Sequence, residues 1–169
     1  MGRRMSASPR LYLDTNAFIY ATEERSPRSG LLAALFSHSA RQAGGLLTTS
    51  ELSLAELVVK PLREGDDGLV ARYEAMMRTS RWLTVEPVSR QVVLIAGHLR
   101  AVAALKLPDA LHLATAIASG CSHFLTEDKA LLNLGRNGPM TFDRPAAQPL
   151  RLESLEPESL TTLLDRFAP

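Results

Sequence analysis

Four acidic side chains stand where an apolar segment of the chain meets a predicted helix. Asp14 and Asp128 follow two predicted buried strands, and Glu56 and Asp109 lie near the starts of two predicted helices. In a parallel α/β sheet these positions meet at one edge, outside the carboxyl ends of the strands. Four carboxylates held close together repel one another, and a divalent Mg²⁺ or Mn²⁺ ion, which prefers oxygen ligands, relieves that repulsion. Such a cluster can activate water and stabilise phosphodiester cleavage.

The first two acids along the chain also have ordinary structural interpretations. Asp14 precedes a helix, where a carboxylate caps the free N–H groups and is favoured by the helix dipole. Glu56 could form a capping box with Ser53. Alternatively, it could pair with Lys60 four residues later, a contact worth roughly 0.2–0.5 kcal/mol on a helix. Taken singly, neither acid requires a functional site.

The other two acids are less easily explained. Asp109 follows Pro108 at the start of a helix that is apolar almost all round. A carboxylate on a buried helix needs a cation or several donors nearby. Asp128 stands beside Glu127, and because successive side chains point apart, we expect only one of them to face a site. Thr126 is placed to orient that one.

The elements that must position these acids alternate between strand and helix. Strands are predicted at 11–14, 46–49, 82–88, 123–126 and 149–155, and helices at 15–22, 31–43, 51–60, 66–80, 90–103, 109–119 and 158–167, with a helical turn at 128–132. Residues 23–30 and 136–149 are predicted to be irregular. This alternation predicts an α/β fold, a three-layer α/β/α sandwich with a mostly parallel central sheet.

Composition is that of one folded domain. The chain has 169 residues, of which 46% are hydrophobic and 22% charged. We expect residues 1–9 to form a mobile N-terminal tail and residues 10–169 a single domain.

No apolar run is long enough to span a bilayer, and no secretion signal is indicated. Cys121 is the single cysteine, so an intramolecular disulfide is excluded and the cytoplasm is the expected compartment. The net charge of +1 does not by itself indicate a nucleic-acid binder.

The segments around the four acids resemble the PIN domain family. The matching stretches are LYLDTN at 11–16, LSLAELV at 52–58, LPDALHLATAIASG at 107–120 and FLTED at 124–128. The third looks like the corresponding segment of VapC-like toxins from prokaryotic toxin–antitoxin pairs. The resemblance implies a compact α/β/α domain with Mg²⁺- or Mn²⁺-dependent endoribonuclease activity on RNA. It also implies a small antitoxin partner and homodimer formation.

The family's site residues carry over to matching positions of this chain. They are the catalytic Asp14, Glu56, Asp109 and Asp128, with Asn16 and Thr126 in support. Our hypothesis is that the three aspartates bind the metal directly or through water. Glu56 either binds a metal or orients the attacking water, and Asn16 and Thr126 hydrogen-bond to the ligands. This chain departs from the motif at the acidic residue 127, which adds charge beside the site.

Other polar residues suggest weaker functional interpretations. Arg25 and Arg28 could grip RNA phosphates near the acids, or they could belong to a solvated loop. His112 lies one helical turn after Asp109. A general-acid role is conceivable there, but a hydrogen-bonded core histidine is the favoured interpretation.

Two other classes of protein fit parts of the pattern. One is an aspartyl-phosphate phosphatase with Asp14 as nucleophile. Phosphatases of the haloacid-dehalogenase type have a second aspartate two residues later, and this chain has Asn16 at that position. The other is a non-catalytic module in which the acids bind a metal and the domain serves as a partner scaffold.

Overall fold

A parallel five-stranded sheet forms the centre of the molecule. The computed structural model describes residues 9–42, 45–137 and 149–167. The strands are β1 (Leu11–Leu13), β2 (Leu47–Ser50), β3 (Leu83–Glu86), β4 (His123–Thr126) and β5 (Arg151–Ser154). Their order is β3-β2-β1-β4-β5, and all four pairings between neighbours are parallel. The predicted α/β fold with a mostly parallel sheet is confirmed.

Helices cover both faces of this sheet. The helices are α1 (Thr15–Glu23), α2 (Pro27–Arg41), α3 (Glu51–Leu57), α4 (Val59–Glu64), α5 (Asp67–Met76), α6 (Arg90–Ala103), α7 (Leu107–Ala118), α8 (Lys129–Leu134) and α9 (Pro157–Phe167), and a 3-10 turn, Gly135–Asn137, follows α8. One apolar core lies between the sheet and α1, α2, α3, α5 and α9. A second lies between the sheet and α6, α7 and α8.

The central strand β1 contributes to both cores. Its three residues are fully buried, and because side chains alternate along a strand, they divide between the two faces. Leu11 and Leu13 belong to the first core, and Tyr12 belongs to the second. A strand buried on both faces reads as a continuous apolar run rather than an alternating one. This is why LYL was recognisable in the sequence.

The strand order reverses between β1 and β4. From β1 the chain passes through α1 and α2 on one face to reach β2, whereas from β4 it passes through α8 on the opposite face to reach β5. The two connections therefore diverge at the carboxyl ends of adjacent strands. Such a switch point leaves a crevice that binds ligands in open α/β sheets.

Several predicted helix boundaries differ from the structure, and two of these differences have a local reason. Helix α2 begins at Pro27, inside the segment predicted as a loop, because Ser26 and Ser29 form a reciprocal capping box there. The helix predicted at 51–60 is divided at Val58 into α3 and α4. Pro61 falls in the first turn of α4, where its missing N–H costs no helical hydrogen bond.

Three predicted features fall wholly or partly outside the described residues. They are the N-terminal tail, of which residues 1–8 are not described, the irregular segment, of which 138–148 are not described, and the end of the helix predicted at 31–43. Beyond the second gap, β5 and α9 form as predicted. Within the described ranges, none of the helices has both the length and the apolar character needed to cross a bilayer.

A buried tyrosine fastens α5 to the end of α1. Tyr73 is fully buried, and its hydroxyl donates to Glu23 Oε1 at 2.5 Å. Lys60 Nζ reaches Glu23 Oε2 at 3.0 Å from an exposed position.

We expect Tyr73→Phe to lower the free energy of unfolding by about 1.5–3 kcal/mol, because it removes a hydrogen bond to a charged group. Lys60→Met should cost less, since exposed ion pairs are screened by water. Urea denaturation of both variants measures this, and equal losses would contradict it.

Candidate active site

Asp14 lies at the carboxyl end of β1, on one side of the switch point. It is the N-cap of α1, and its Oδ1 accepts the backbone N–H of Asn16 at 3.0 Å. Its Oδ2 accepts a hydrogen bond from the Thr126 hydroxyl. Only 7% of the residue is exposed, and burial raises the pKa of Asp14 from 3.8 to about 6. The capping interpretation is therefore correct, but the same carboxylate also reaches across to the neighbouring strand.

Thr126 connects the acids of the two adjacent strands. It ends β4 and is fully buried. Its Oγ1 donates to Asp14 and accepts the backbone N–H of Asp128 at 2.9 Å. One hydroxyl therefore bonds to both groups and adds a side-chain link to the backbone hydrogen bond from Asp14 N–H to the Leu125 carbonyl between the ends of β1 and β4.

The adjacent acids Glu127 and Asp128 point to different parts of the molecule. Glu127 Oε1 accepts the backbone N–H of Leu155 at 2.8 Å, just beyond β5. Asp128 caps α8, with Oδ1 accepting the N–H groups of Ala130 and Leu131 at 2.8 and 3.0 Å. Asp128, unlike Glu127, is among the residues whose charge raises the pKa of Asp109. Of the two acids, Asp128 is the one beside Asp109.

Asp109 occupies the first turn of α7 and is partly exposed. No hydrogen bond from the described residues reaches its carboxylate. Burial, followed by the neighbouring charges of Asp128 and Glu56, raises the pKa of Asp109, although the nearby charge of Lys106 opposes this. An acid that is repelled by two others and lacks a protein donor is a natural place for a cation.

Glu56 has neither of the structural roles that its local sequence suggests. The Ser53 hydroxyl bonds to Thr49 at 2.8 Å, and Lys60 pairs with Glu23. Glu56 Oε2 instead receives two side chains from other helices, the Thr15 hydroxyl and His112 Nε2, the latter at 3.0 Å. Burial raises the pKa of Glu56, but these two hydrogen bonds outweigh it, so the net shift is downward.

The residues predicted to support the site or bind RNA differ in what they contact. Asn16 reaches Asp14 through its backbone N–H, a contact that most residue types could make. Arg28 pairs with Glu24 at 2.9 Å and lies 3.5 Å above the centre of the Tyr20 ring. Arg25 is exposed in the short connection between α1 and α2. Arg28 therefore belongs to a helix and already has partners, whereas Arg25 faces solvent.

The four acids suit a hard divalent cation by their chemistry. All supply carboxylate oxygens, Glu56 contributes to the raised pKa of both Asp14 and Asp109, and Asp128 contributes to that of Asp109. Within the described ranges, no three His, Cys, Asp or Glu side chains lie close enough together to hold a metal ion by themselves. Mg²⁺ does not need three such ligands, because it keeps several waters and commonly uses one or two carboxylates together with substrate phosphates. The arrangement fits an open site of that kind.

Sequence reasoning did not find two residues of the hydrogen-bond network that leads to Glu56. Thr15 and Tyr12 were not predicted as site residues, yet Thr15 bonds to Glu56 and Tyr12 bonds to His112. The position of Thr15, next to Asp14, was the one available signal. His112 is buried and hydrogen-bonded at both ring nitrogens, which agrees with the favoured interpretation of a hydrogen-bonded core histidine.

The chain belongs to the PIN domain family. The family's sequence model matches residues 11–137, a stretch that begins with β1 and contains all four acids. The family predicted from the sequence is thereby confirmed. No protein in a search of curated sequences matches the chain significantly.

Solved structures with a similar fold come from toxin–antitoxin systems. DNA-bound VapBC from Salmonella typhimurium is 20% identical, with a TM-score of 0.59, over 88% of this chain and 99% of the other. VapC20 from Mycobacterium tuberculosis, described as a toxin that cleaves the sarcin–ricin loop, is 17% identical, with a TM-score of 0.56, over 72% and 92%. A toxin–antitoxin complex from Klebsiella pneumoniae is 22% identical, with a TM-score of 0.53, over 70% and 86%. At these identities the likeness establishes the shared fold.

Proposed function

We propose that this protein is a Mg²⁺- or Mn²⁺-dependent endoribonuclease and the toxin of a type II toxin–antitoxin pair. The observation that carries the proposal is the placement of Asp14, Glu56, Asp109 and Asp128 around the carboxyl ends of β1 and β4, where Glu56 raises the pKa of Asp14 and of Asp109, and Asp128 raises that of Asp109. Family membership and the fold shared with VapC structures support it. We further propose that residues 10–169 form a single domain, since β5 pairs with β4 and α9 packs on α2.

The four acids divide between two roles in the proposed reaction. Asp14, Asp109 and Asp128 would hold the cation, which supplies a Lewis acid that neutralises phosphate charge and lowers the pKa of water. Glu56 orients the attacking water through its carboxylate. Thr126 holds Asp14 at a fixed distance from the backbone of Asp128. Asn16 stabilises the Asp14 carboxylate through its backbone N–H.

A cognate antitoxin is the proposed protein partner. Three similar structures are toxin–antitoxin complexes, two of them bound to DNA. A short reading frame beside this gene that encodes a DNA-binding protein would support the pairing, and co-purification of the two products would test it. On the family resemblance, we also propose that the protein forms a homodimer. We propose the cytoplasm as the compartment in which it encounters its RNA substrate.

Arg25 is the stronger of the two proposed RNA contacts. It is exposed near the end of α1, whereas Arg28 already pairs with Glu24 and stacks on Tyr20. The guanidinium of Arg25 is therefore the one available to a phosphate group.

The rival functions receive less support from the geometry. An aspartyl-phosphate mechanism calls for a second aspartate two residues after Asp14, but residue 16 is an asparagine, which reaches Asp14 through its backbone N–H. A non-catalytic module differs from the proposed enzyme only in lacking cleavage, so an assay separates them.

Adjacent acids provide a matched pair of variants for testing the function. The substrate is a fluorescent single-stranded RNA, incubated with Mg²⁺ or Mn²⁺ and, separately, with EDTA. Asp128→Asn should lower the cleavage rate by at least about tenfold, as expected when a group near the metal is lost. The variant should still fold, because asparagine also caps a helix well. Glu127→Gln should retain activity, since that side chain bonds to the backbone beyond β5. A folded wild-type protein that cleaves no RNA with either ion would favour the non-catalytic module instead.

A further inference from the structure

A chain of buried hydrogen bonds runs from the sheet to Glu56. Tyr12 is fully buried in β1, and its hydroxyl lies 2.7 Å from Nδ1 of His112 on α7. The other ring nitrogen, Nε2, lies 3.0 Å from Oε2 of Glu56 on α3. The rings are also packed, because Tyr12 stacks on Phe124 at 5.0 Å between ring centres and meets His112 edge-on at 5.9 Å. The contacts link two helices to the central strand.

The direction of these hydrogen bonds follows from the groups at the two ends. An ionised Glu56 can only accept, so Nε2 of His112 must carry the hydrogen that joins them. In a neutral imidazole, Nδ1 is then an acceptor, and the Tyr12 hydroxyl donates to it. A tyrosine hydroxyl carries its proton at neutral pH, so it can act as that donor. Tyr12 thus selects the Nε2–H tautomer of His112.

Both donors to Glu56 meet the same oxygen. The Thr15 hydroxyl and His112 Nε2 each bond to Oε2, and no hydrogen bond from the described residues reaches Oε1. The Glu56 side chain is 35% exposed. Two donors from different helices restrict rotation of the carboxylate and leave Oε1 available to a group outside the protein.

We infer that Tyr12 and His112 are positioning residues for Glu56, which they hold so that Oε1 orients the water that attacks RNA. The inference rests on the proposed ribonuclease function. Neither residue touches the substrate, and each acts through the carboxylate. Loss of the hydrogen bonds from Tyr12 to His112 and from His112 to Glu56 should therefore lower kcat. KM and the affinity for Mn²⁺ should stay nearly unchanged, since Glu56 would act on the water rather than on RNA or the cation.

Variants of His112 separate positioning from packing. His112→Leu fills the space but removes the donor, and kcat should fall by about 10- to 100-fold, the range for groups that support a metal site indirectly. His112→Gln places an amide N–H near the position of Nε2 and should restore most of the rate. Tyr12→Phe removes only the hydroxyl and should also lower kcat. His38→Leu is the matched control, because His38 is a buried histidine that bonds to Gln42 instead, and it should leave kcat unchanged.

Two further measurements make the outcome decisive. Nitrogen NMR of the metal-free full-length protein should show His112 as the Nε2–H tautomer, with a changed signature in Tyr12→Phe. Thermal melts establish that each variant is folded. An Nδ1–H tautomer, or equal losses of kcat in folded His112→Leu and His112→Gln, would overturn the inference. If the wild-type protein cleaves no RNA, the proposed function fails, whereas the NMR experiment still tests the hydrogen bonds that join Tyr12, His112 and Glu56. If His112→Leu does not fold, Tyr12→Phe and the NMR experiment decide.

Discussion

Replacing Asp14 with asparagine should abolish RNA cleavage and, at the same time, stabilise the metal-free protein at neutral pH. The loss of cleavage follows from the proposed role of Asp14 as a ligand, and should exceed the roughly 10- to 100-fold effect of losing an indirect support. Asparagine can keep the cap of α1 and a hydrogen bond to Thr126. The substitution therefore removes a charge with little change in packing.

The gain in stability follows from the raised pKa of Asp14. Because burial raises it from 3.8 to about 6, the folded protein binds a proton at Asp14 more tightly than the unfolded chain does. The contribution of this group to stability is fully present below about pH 4 and is lost as the pH rises through about 6. Above that pH the ionised, buried carboxylate costs about 1–3 kcal/mol, which asparagine avoids.

Urea denaturation in EDTA measures this effect directly. The free energy of unfolding of Asp14→Asn should exceed that of the wild type at pH 7.5, and the difference should shrink as the pH falls to 4. Asp165→Asn, an exposed change on α9, should alter neither stability nor cleavage. A variant that is less stable at every pH, or that cleaves RNA at the wild-type rate, would contradict the prediction.

Adding Mn²⁺ should raise the melting temperature of the wild-type protein, and Asp109→Asn should remove most of that rise. Asp109 is repelled by Asp128 and Glu56 and receives no hydrogen bond from the described residues. A cation bound there relieves the repulsion in the folded state alone. Binding stabilises by about 2.7 kcal/mol when the ion is at 100 times its Kd, and a domain of this size gains about 2–4 °C for each kcal/mol.

Thermal melts with increasing Mn²⁺, followed by EDTA, test this prediction without depending on activity. The rise should be reversed by EDTA and should persist in Glu127→Gln, whose carboxylate faces β5. An equal rise in wild type and Asp109→Asn would place the ion elsewhere on the protein.

The sequence predicted most elements of the fold but not their order in the sheet. Periodicity and helix caps are local signals, so β4 and the Ser89 cap of α6 were predicted where they occur. Strand order depends on contacts between distant segments, and no local pattern indicates that β1 lies between β2 and β4. The switch point that gathers the acids therefore became visible only in the structure.

The positions of the candidate site residues could be predicted from local sequence signals, but their contacts with distant residues could not. Asp14 and Asp128 were expected at strand ends, and they lie there. Local rules gave the wrong partners for Glu56, because both a capping box and an i,i+4 pair consider only its own helix. Its actual partners, Thr15 and His112, are 41 and 56 residues away along the chain. Tertiary contacts of this kind override local pairing rules.

The hydrogen bond between Thr126 and Asp14 joins residues 112 positions apart. Strand β1 is synthesised early, yet one of its two neighbours, β4, is synthesised only after α7. Contacts so distant in sequence are slow to form, because a long loop must close before they are made. A nascent chain on the ribosome would therefore carry Asp14, Glu56 and Asp109 without a complete site until β4 has left the exit tunnel. On the proposed ribonuclease function, arrested chains of increasing length should acquire cleavage activity only after residue 128 has emerged from the ribosome.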